Sequence, residues 1–140
     1  DLLVGALKDR NQESLKVLNC VESKLVDMDL DLESWLLNQP LTCQTAVIDG
    51  KPHVITQVIG FGPHNGAHAL LVKELIHAQE DEWESKGIHS YGVAKPLREA
   101  SRELRFLAIG KLDAVVDSLT AHARTLIQAF DTGRKLQKHC

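Results

Sequence analysis

The feature that most constrains the fold is the pair Asp49-Gly50, which stands between two runs rich in β-forming residues. Asp-Gly is a favoured pair for the two-residue type I′ turn of a β-hairpin. We therefore predict a hairpin with strands at about 41–48 and 51–59. Antiparallel register then places Val47 opposite Pro52, in a pair that exchanges no hydrogen bonds. The missing N–H of proline is harmless at such a position, so turn and register agree.

One face of this hairpin is mainly apolar, and we predict that it faces the core. Its residues are Leu41, Cys43, Thr45, Val47, Pro52, Val54, Thr56 and Val58. A two-stranded hairpin is marginally stable in water by itself. Helices are therefore expected to cover this face.

Apolar residues at three- and four-residue steps predict helices in several other segments. The predicted helices cover 2–28, 31–38, 67–86 and 96–109, and the last either ends near Gly110 or continues through it to about residue 130. A capping box at Asp9 and Gln12 offers an alternative start for the first helix near residue 10. The expected fold is α+β and predominantly helical, with one β-hairpin (about 41–48 and 51–59) packed against four or five helices.

Length and composition indicate one domain spanning residues 1–140. Because the chain starts with Asp1 and not Met, we expect that it was excised or processed from a longer protein. Three scattered cysteines are typical of a reducing compartment, so an intracellular, cytoplasmic location is expected. The alternative is one disulfide with one free thiol. No apolar run approaches the roughly 20 residues that span a bilayer, so we expect no membrane insertion.

Charge is distributed unevenly along the chain, although the net charge is only −3. Residues 1–86 hold 14 acidic and 7 basic residues, whereas residues 87–140 hold 5 and 9. This polarity could orient two copies or two partners, or it could reflect two solvated faces. Nucleic-acid binding is not expected, because such proteins usually combine a larger basic excess with interleaved aromatic residues.

A glycine-rich segment follows the second predicted strand and precedes a predicted helix. Its candidate anion-binding residues are Gly60, Gly62, His64, Asn65, Gly66 and His68. Free backbone N–H groups at a helix N-terminus attract anions, so this segment is a candidate ligand cradle. The alternative is a tight turn in which Asn65 caps the helix.

Catalytic and metal chemistry have little support in the sequence. His64 and His68 are four residues apart, but Asn65 as a cap would leave His64 outside the helix, and a third ligand is not evident. No serine lies in a nucleophile-elbow motif. We assign no catalytic residue, no metal site and no cofactor, and we lean against an enzyme.

The C-terminal segment carries an apolar stripe that is either the domain's own core or a helix–helix interface. The candidate partner-binding residues on it are Leu112, Val116, Leu119, Leu126 and Phe130. Basic residues at three- and four-residue steps form a ridge upstream: Lys95, Arg98, Arg102 and Arg105. This ridge either pairs with intervening glutamates or docks on an acidic surface.

These observations favour a non-enzymatic regulatory or assembly module that acts through protein–protein interaction. A second copy of the chain, bound through the C-terminal helix, is one candidate partner. The alternative function is a small anionic-ligand-binding protein or enzyme that uses the segment Gly60–His68.

Overall fold

The fold combines one antiparallel sheet with three α-helices among the described residues. The computed structural model describes the backbone of residues 1–78 and 88–137, and the side chains of residues 1–78 and 92–137. The elements in chain order are α1 (Leu2–Asp27), β1 (Ser34–Trp35), β2 (Thr42–Ile48), β3 (Lys51–His64), β4 (Ala67–Ala78), β5 (Ile88–Tyr91), β6 (Lys95–Pro96), a 3-10 helix (Leu97–Glu99), α2 (Arg102–Ile109) and α3 (Leu112–Gln137).

The sheet is built around the long hairpin of β3 and β4, which pair from His53–Ala78 to His64–Ala67. Along the outer side of β3 lie β1 and β2, and along the outer side of β4 lie β5 and β6. All of these pairings are antiparallel. The sheet is thus four strands across, with two short strands sharing each outer position.

The predicted hairpin at Asp49-Gly50 is confirmed, including its register. Both turn residues have positive φ, at 52° and 77°, as a type I′ turn requires. Val47 lies opposite Pro52. The predicted core face is buried only at its far end, at Thr56 and Val58. The expectation that helices cover this face is wrong, because side chains alternate along β3 and the residues that face the helices are Ile59 and Phe61, on the other side of the sheet.

The helix predicted over 67–86 is wrong, because residues 67–78 form strand β4. Four consecutive residues of β4, Ala69 to Val72, are buried. A strand covered on both faces shows no alternation, so its apolar run resembles a helical pattern. Asn65 and Gly66, with φ of 51° and 84°, form a second turn of the same type and not a helix cap. The part of this prediction over 79–86 lies outside the described residues.

The helix predicted over 31–38 is also wrong. Ser34 and Trp35 form the short strand β1. Before it, Asp29 and Asp31 have φ of 50° and 48°, in the left-handed region that Asp tolerates better than most residues. These two positions turn the chain from α1 onto the edge of the sheet.

The first predicted helix is confirmed as α1, which begins at Leu2. The Asp1 carboxylate accepts a hydrogen bond from the Leu3 N–H at 2.9 Å and caps it. The alternative start near residue 10 is therefore not used. Leu18 and Leu25 are buried, as the periodicity indicated.

The helix predicted over 96–109 begins only at Arg102, because Lys95 and Pro96 form β6 and Leu97–Glu99 form a 3-10 helix, and it does not continue through Gly110. This glycine ends α2, and the Lys111 N–H donates to the Ala108 carbonyl before α3 begins. The fold is α+β. The expectation of a predominantly helical domain, with a single hairpin and four or five helices, is wrong, because the described residues form a six-stranded sheet and three α-helices.

The core lies between the helices and one face of the sheet. From the sheet, Ile59, Phe61, Leu70 and Val72 point into it. The helices and loops contribute Leu18, Leu25, Leu36, Leu97, Ala108, Leu112, Val115 and Leu119. This layer fixes the first part of α3 against the sheet, which determines where the rest of that helix runs.

Candidate functional site

The predicted anion cradle is not a loop, because Gly60 and Gly62 lie within β3. Neither has a positive φ. A Cβ on Gly60 would come within 2.5 Å of two ring carbons of Trp35, and one on Gly62 within 2.9 Å of the Glu33 Cγ. The two glycines therefore leave room for side chains that cross β3 from the neighbouring β1 segment.

Those side chains form a small cluster with Lys73. The Trp35 Nε1–H donates to the Glu33 carboxylate at 2.8 Å, and the Lys73 Nζ lies 3.9 Å from the centre of the Trp35 ring. Partial burial lowers the pKa of Lys73, and the nearby Glu33 carboxylate opposes this shift. The cluster ties β1 across β3 to β4, which is a structural role.

The remaining residues of the predicted cradle surround the second hairpin turn. His68 packs against Phe61, with ring centres 5.5 Å apart, and its Nε2 is 3.8 Å from an Asp31 carboxylate oxygen. The His64 Nε2 lies 3.3 Å from the Asn65 Nδ2. Because no helix begins at this turn, the expected helix-dipole attraction for an anion is missing.

A cavity of about 390 Å³ nevertheless lies beside the turn. His64, Asn65 and His68 line it together with Glu22, Arg98 and Glu99. Two carboxylates thus face this space, and the guanidinium of Arg98 is 3.2 Å from the Glu22 carboxylate. Among the side chains of residues 1–78 and 92–137, no group of three or more His, Cys, Asp or Glu is placed to hold a metal ion.

The residues of the predicted basic ridge do not lie on one helix. Lys95 belongs to β6, Arg98 to the 3-10 helix, and Arg102 and Arg105 to α2. Arg98 pairs with Glu22. Arg105 is part of the interior contact between α1 and α2.

Arg105 joins α2 to α1 through three acceptors. Its guanidinium donates to the Ala100 carbonyl at 2.7 Å, to the buried Ser14 hydroxyl at 3.4 Å and to the Asn11 side-chain oxygen. Of the four ridge residues, Arg98 and Arg105 are thus engaged within the molecule.

The apolar stripe of α3 divides into a buried part and an exposed part. Leu112, Val115 and Leu119 belong to the core, and Leu119 is only 1% exposed. Val116 is exposed at the margin of this contact. Farther along, Leu126, Ile127 and Phe130 are 48%, 60% and 67% exposed. Core and interface were alternatives in the sequence, and the structure gives the core role to the first half only.

The N-terminal end of α1 has a similar exposed apolar group. Leu2, Leu3, Val4 and Leu7 are all exposed, and burial on this helix begins at Ser14. Both long helices therefore extend beyond the core with apolar residues on their ends. Sequence periodicity identified the stripe on α3, but it did not single out the end of α1.

Comparison with protein-family models, with curated proteins and with solved structures gave no match to this chain. A search of the described helices found none that combines the length and the apolar character needed to cross a membrane.

Proposed function

We propose that this chain is an assembly module that binds a second copy of itself through the exposed part of the α3 apolar stripe. The observation that carries the proposal is the change in exposure along one helix face, from 1% at Leu119 to 67% at Phe130. The apolar pattern continues where the core ends. A helix that serves only its own domain would be expected to become polar there.

The exposed residues lie on the same side of α3 as the buried ones. Steps of three and four residues lead from Leu119 through Ala123 and Leu126 to Phe130, which keeps all of them on one helix face. Ala123 is half-buried and marks the end of the contact with the core. From Arg124 to Gln137 only Asp131 is not exposed.

A free helical segment of this kind has little intrinsic stability. Residues 124–137 extend about 21 Å, at a rise of about 1.5 Å per residue. Helices shorter than about 12–15 residues are marginal in water unless their apolar face packs against something. A partner along the stripe would supply that packing.

A second copy suits this surface because the stripe can pair with itself. In an antiparallel pair of α3 helices, Leu126 of each copy can pack against Phe130 of the other. The small residues Ala123 and Gly133 border these large ones on both sides and permit close approach of the backbones. Antiparallel helices also oppose their dipoles, and a two-fold contact needs only one surface on each chain.

The expected dimer is weak. The exposed fractions of Leu126, Ile127 and Phe130 together correspond to roughly two fully exposed apolar side chains per copy. At about 1.5–3 kcal/mol for each, burial of both copies contributes about 6–12 kcal/mol. Association itself costs an estimated 4–15 kcal/mol, so we expect dissociation constants in the micromolar range or above.

Sedimentation velocity over a range of concentrations tests this proposal with a matched pair of variants. Leu126→Glu places a charge in the stripe, whereas Gln128→Glu places the same charge on the opposite side of α3, 200° away at 100° per residue. Both positions are exposed, so neither change should unfold the monomer. We expect Gln128→Glu to associate like the wild type and Leu126→Glu to associate much less. Equal association of the two variants would refute a contact through this stripe.

A further inference from the structure

A second surface with an unused binding capacity is the outer edge of β2. This strand pairs with β3 on one side, and among the described residues no strand pairs with its other side. Its seven residues, Thr42 to Ile48, include no charged residue and no proline. Native sheets usually block an exposed edge with such residues, because unpaired backbone groups bind other strands.

The hydrogen-bond pattern of the hairpin identifies which backbone groups are directed outward. The pair next to the two-residue turn, Ile48 and Lys51, is hydrogen-bonded, and the pairs then alternate along the strands. Cys43, Thr45 and Val47 fall in the pairs without such bonds. Their N–H and C=O groups therefore point away from β3, toward the open edge.

The side chains of the residues that carry these outward groups are exposed to solvent. Cys43 and Thr45 are exposed, and Val47 is 75% exposed. A different arrangement protects the edge of β4 beside its hairpin turn. There the Glu22 carboxylate accepts a hydrogen bond from the outward Leu70 N–H at 2.8 Å and is itself held by Arg98. No described charged side chain is bonded to the outward groups of β2.

We propose that β2 pairs with β2 of a second copy, which extends the sheet across a two-fold axis. Antiparallel pairing centred on Thr45 places Thr45 opposite its counterpart and Cys43 opposite Val47. All three outward residues on each copy then lie in hydrogen-bonded pairs, which gives six bonds. Shifting the centre to a neighbouring residue leaves some of these groups without a partner, so this register is favoured.

A second copy is the occupant that this edge fits best. The edge offers three donors and three acceptors in a row that complements itself, and no charge on either strand opposes the approach. Thr–Thr pairs across strands are also favourable. This contact is independent of the α3 stripe. Two different two-fold contacts on one chain join copies into open assemblies longer than a dimer.

Charge variants at the centre of the register test the proposal. In the Leu126→Glu background, which removes the α3 contact, we expect the chain to form dimers through β2. Thr45→Lys should abolish them because two lysines would face each other, and Thr45→Glu should do the same. An equimolar mixture of the Thr45→Lys and Thr45→Glu proteins should restore dimers. Gln44→Lys is the matched control, since its position lies opposite Ala46 in this register.

Sedimentation velocity separates the outcomes. Restored dimers in the mixture, with the Gln44→Lys protein still dimeric, support strand pairing. A Leu126→Glu protein that is monomeric at all concentrations would overturn the proposal, and so would Thr45 variants that dimerise alone. Neither of these results would refute the α3 contact, which fails only if Leu126→Glu and Gln128→Glu associate equally.

Disulfide trapping tests the register itself. In a variant with all three native cysteines replaced by serine, Thr45→Cys should form an intermolecular disulfide under mild oxidation. Cα atoms in a hydrogen-bonded antiparallel pair are about 5.5 Å apart, within the range for disulfides. Gln44→Cys should crosslink much less, because its two copies would lie roughly 8 Å apart along the paired strands. Equal crosslinking at both positions would refute this register.

Discussion

The close approach of Trp35 to Gly60 leads to a prediction for the variant Gly60→Ala. The added Cβ would lie 2.5 Å from two carbons of the indole ring and 2.6 Å from the Ser34 carbonyl oxygen. Separations below 3.0 Å are essentially never seen for a real Cβ. Because one of these neighbours is backbone, a side-chain rotation cannot relieve the contact. We therefore expect β1 to move away from β3.

The expected loss of stability follows from the contacts that this movement disturbs. Overpacking of a well-packed site costs about 1–3 kcal/mol. Displacing β1 also weakens the bond from the Leu36 N–H to the Ile59 carbonyl, 2.9 Å long, and such a bond contributes about 1 kcal/mol. The contact of Lys73 with the indole adds about 0.5–1 kcal/mol. Gly60→Ala should thus lower the free energy of unfolding by about 2.5–5 kcal/mol.

Urea denaturation monitored by circular dichroism measures this loss. Gly5→Ala is the control, because it lies in α1 with no atom within 4 Å of the added Cβ. That change should stabilise the helix by about 0.5–1 kcal/mol. In a Trp35→Ala background the cost of Gly60→Ala should fall, since the ring contact is gone. A cost below about 0.5 kcal/mol in the wild-type background would refute the explanation of Gly60.

Three further predictions concern other parts of the fold. Leu119→Ala should lower the free energy of unfolding by about 2–5 kcal/mol, because the Leu119 side chain is buried. Leu126→Ala should change the free energy of unfolding of the monomer by less than about 1 kcal/mol. Chemical denaturation of both variants at low protein concentration measures the difference. Arg105→Lys should cost about 1.5–3 kcal/mol, because a lysine cannot donate to three acceptors in the fork geometry of the guanidinium; a loss within error of zero would contradict the bonds to α1. Burial lowers the pKa of Lys73 in the folded state. Between that pKa and the ordinary value of 10.5, the unfolded chain therefore binds more protons than the folded chain. Stability relative to Lys73→Met should therefore rise with pH through the folded-state pKa, and a difference that falls over this range would contradict the burial of the ammonium.

The hairpin at Asp49-Gly50 could be predicted to the residue because its determinants are local. Turn chemistry, strand propensity and the position of Pro52 agree within a few residues. The same signal is present at Asn65-Gly66, where both residues also have positive φ. Asn is equally suited to cap a helix, and the apolar run after it lacks the alternation of a strand that is exposed on one face. The choice between strand and helix there depends on burial on both sides, which is a tertiary property.

Periodicity identified the apolar face of α3, but it could not show where the core stops covering it. Leu119 and Leu126 occupy equivalent positions in the pattern, yet one is buried and the other half exposed. The difference arises from the extent of the sheet beneath the helix. The ridge of basic residues was less informative, because Arg105 bonds to side chains about 90 positions earlier in the chain. Neighbouring residues in the sequence indicate neither where the core ends along α3 nor which groups Arg105 binds.

Contacts between α1 and the sheet edge also had no counterpart in the sequence. Glu22 is one of many acidic residues in the first part of the chain, and nothing in its neighbours indicates that it accepts a hydrogen bond from Leu70. The open edge of β2 could have been suspected, since seven consecutive residues lack charge. Its outward position in the sheet became evident only from the order of the strands.

Hydrogen–deuterium exchange as a function of protein concentration tests the proposed role of α3 most directly. Residues 124–137 should exchange rapidly in the dilute monomer, because no packing stabilises that part of the helix. At high concentration we expect this segment to be protected from exchange in the wild type and unprotected in Leu126→Glu. Exchange of residues 124–137 that stays the same at all concentrations, while the chain associates, would contradict the proposal that this helix face binds a second copy.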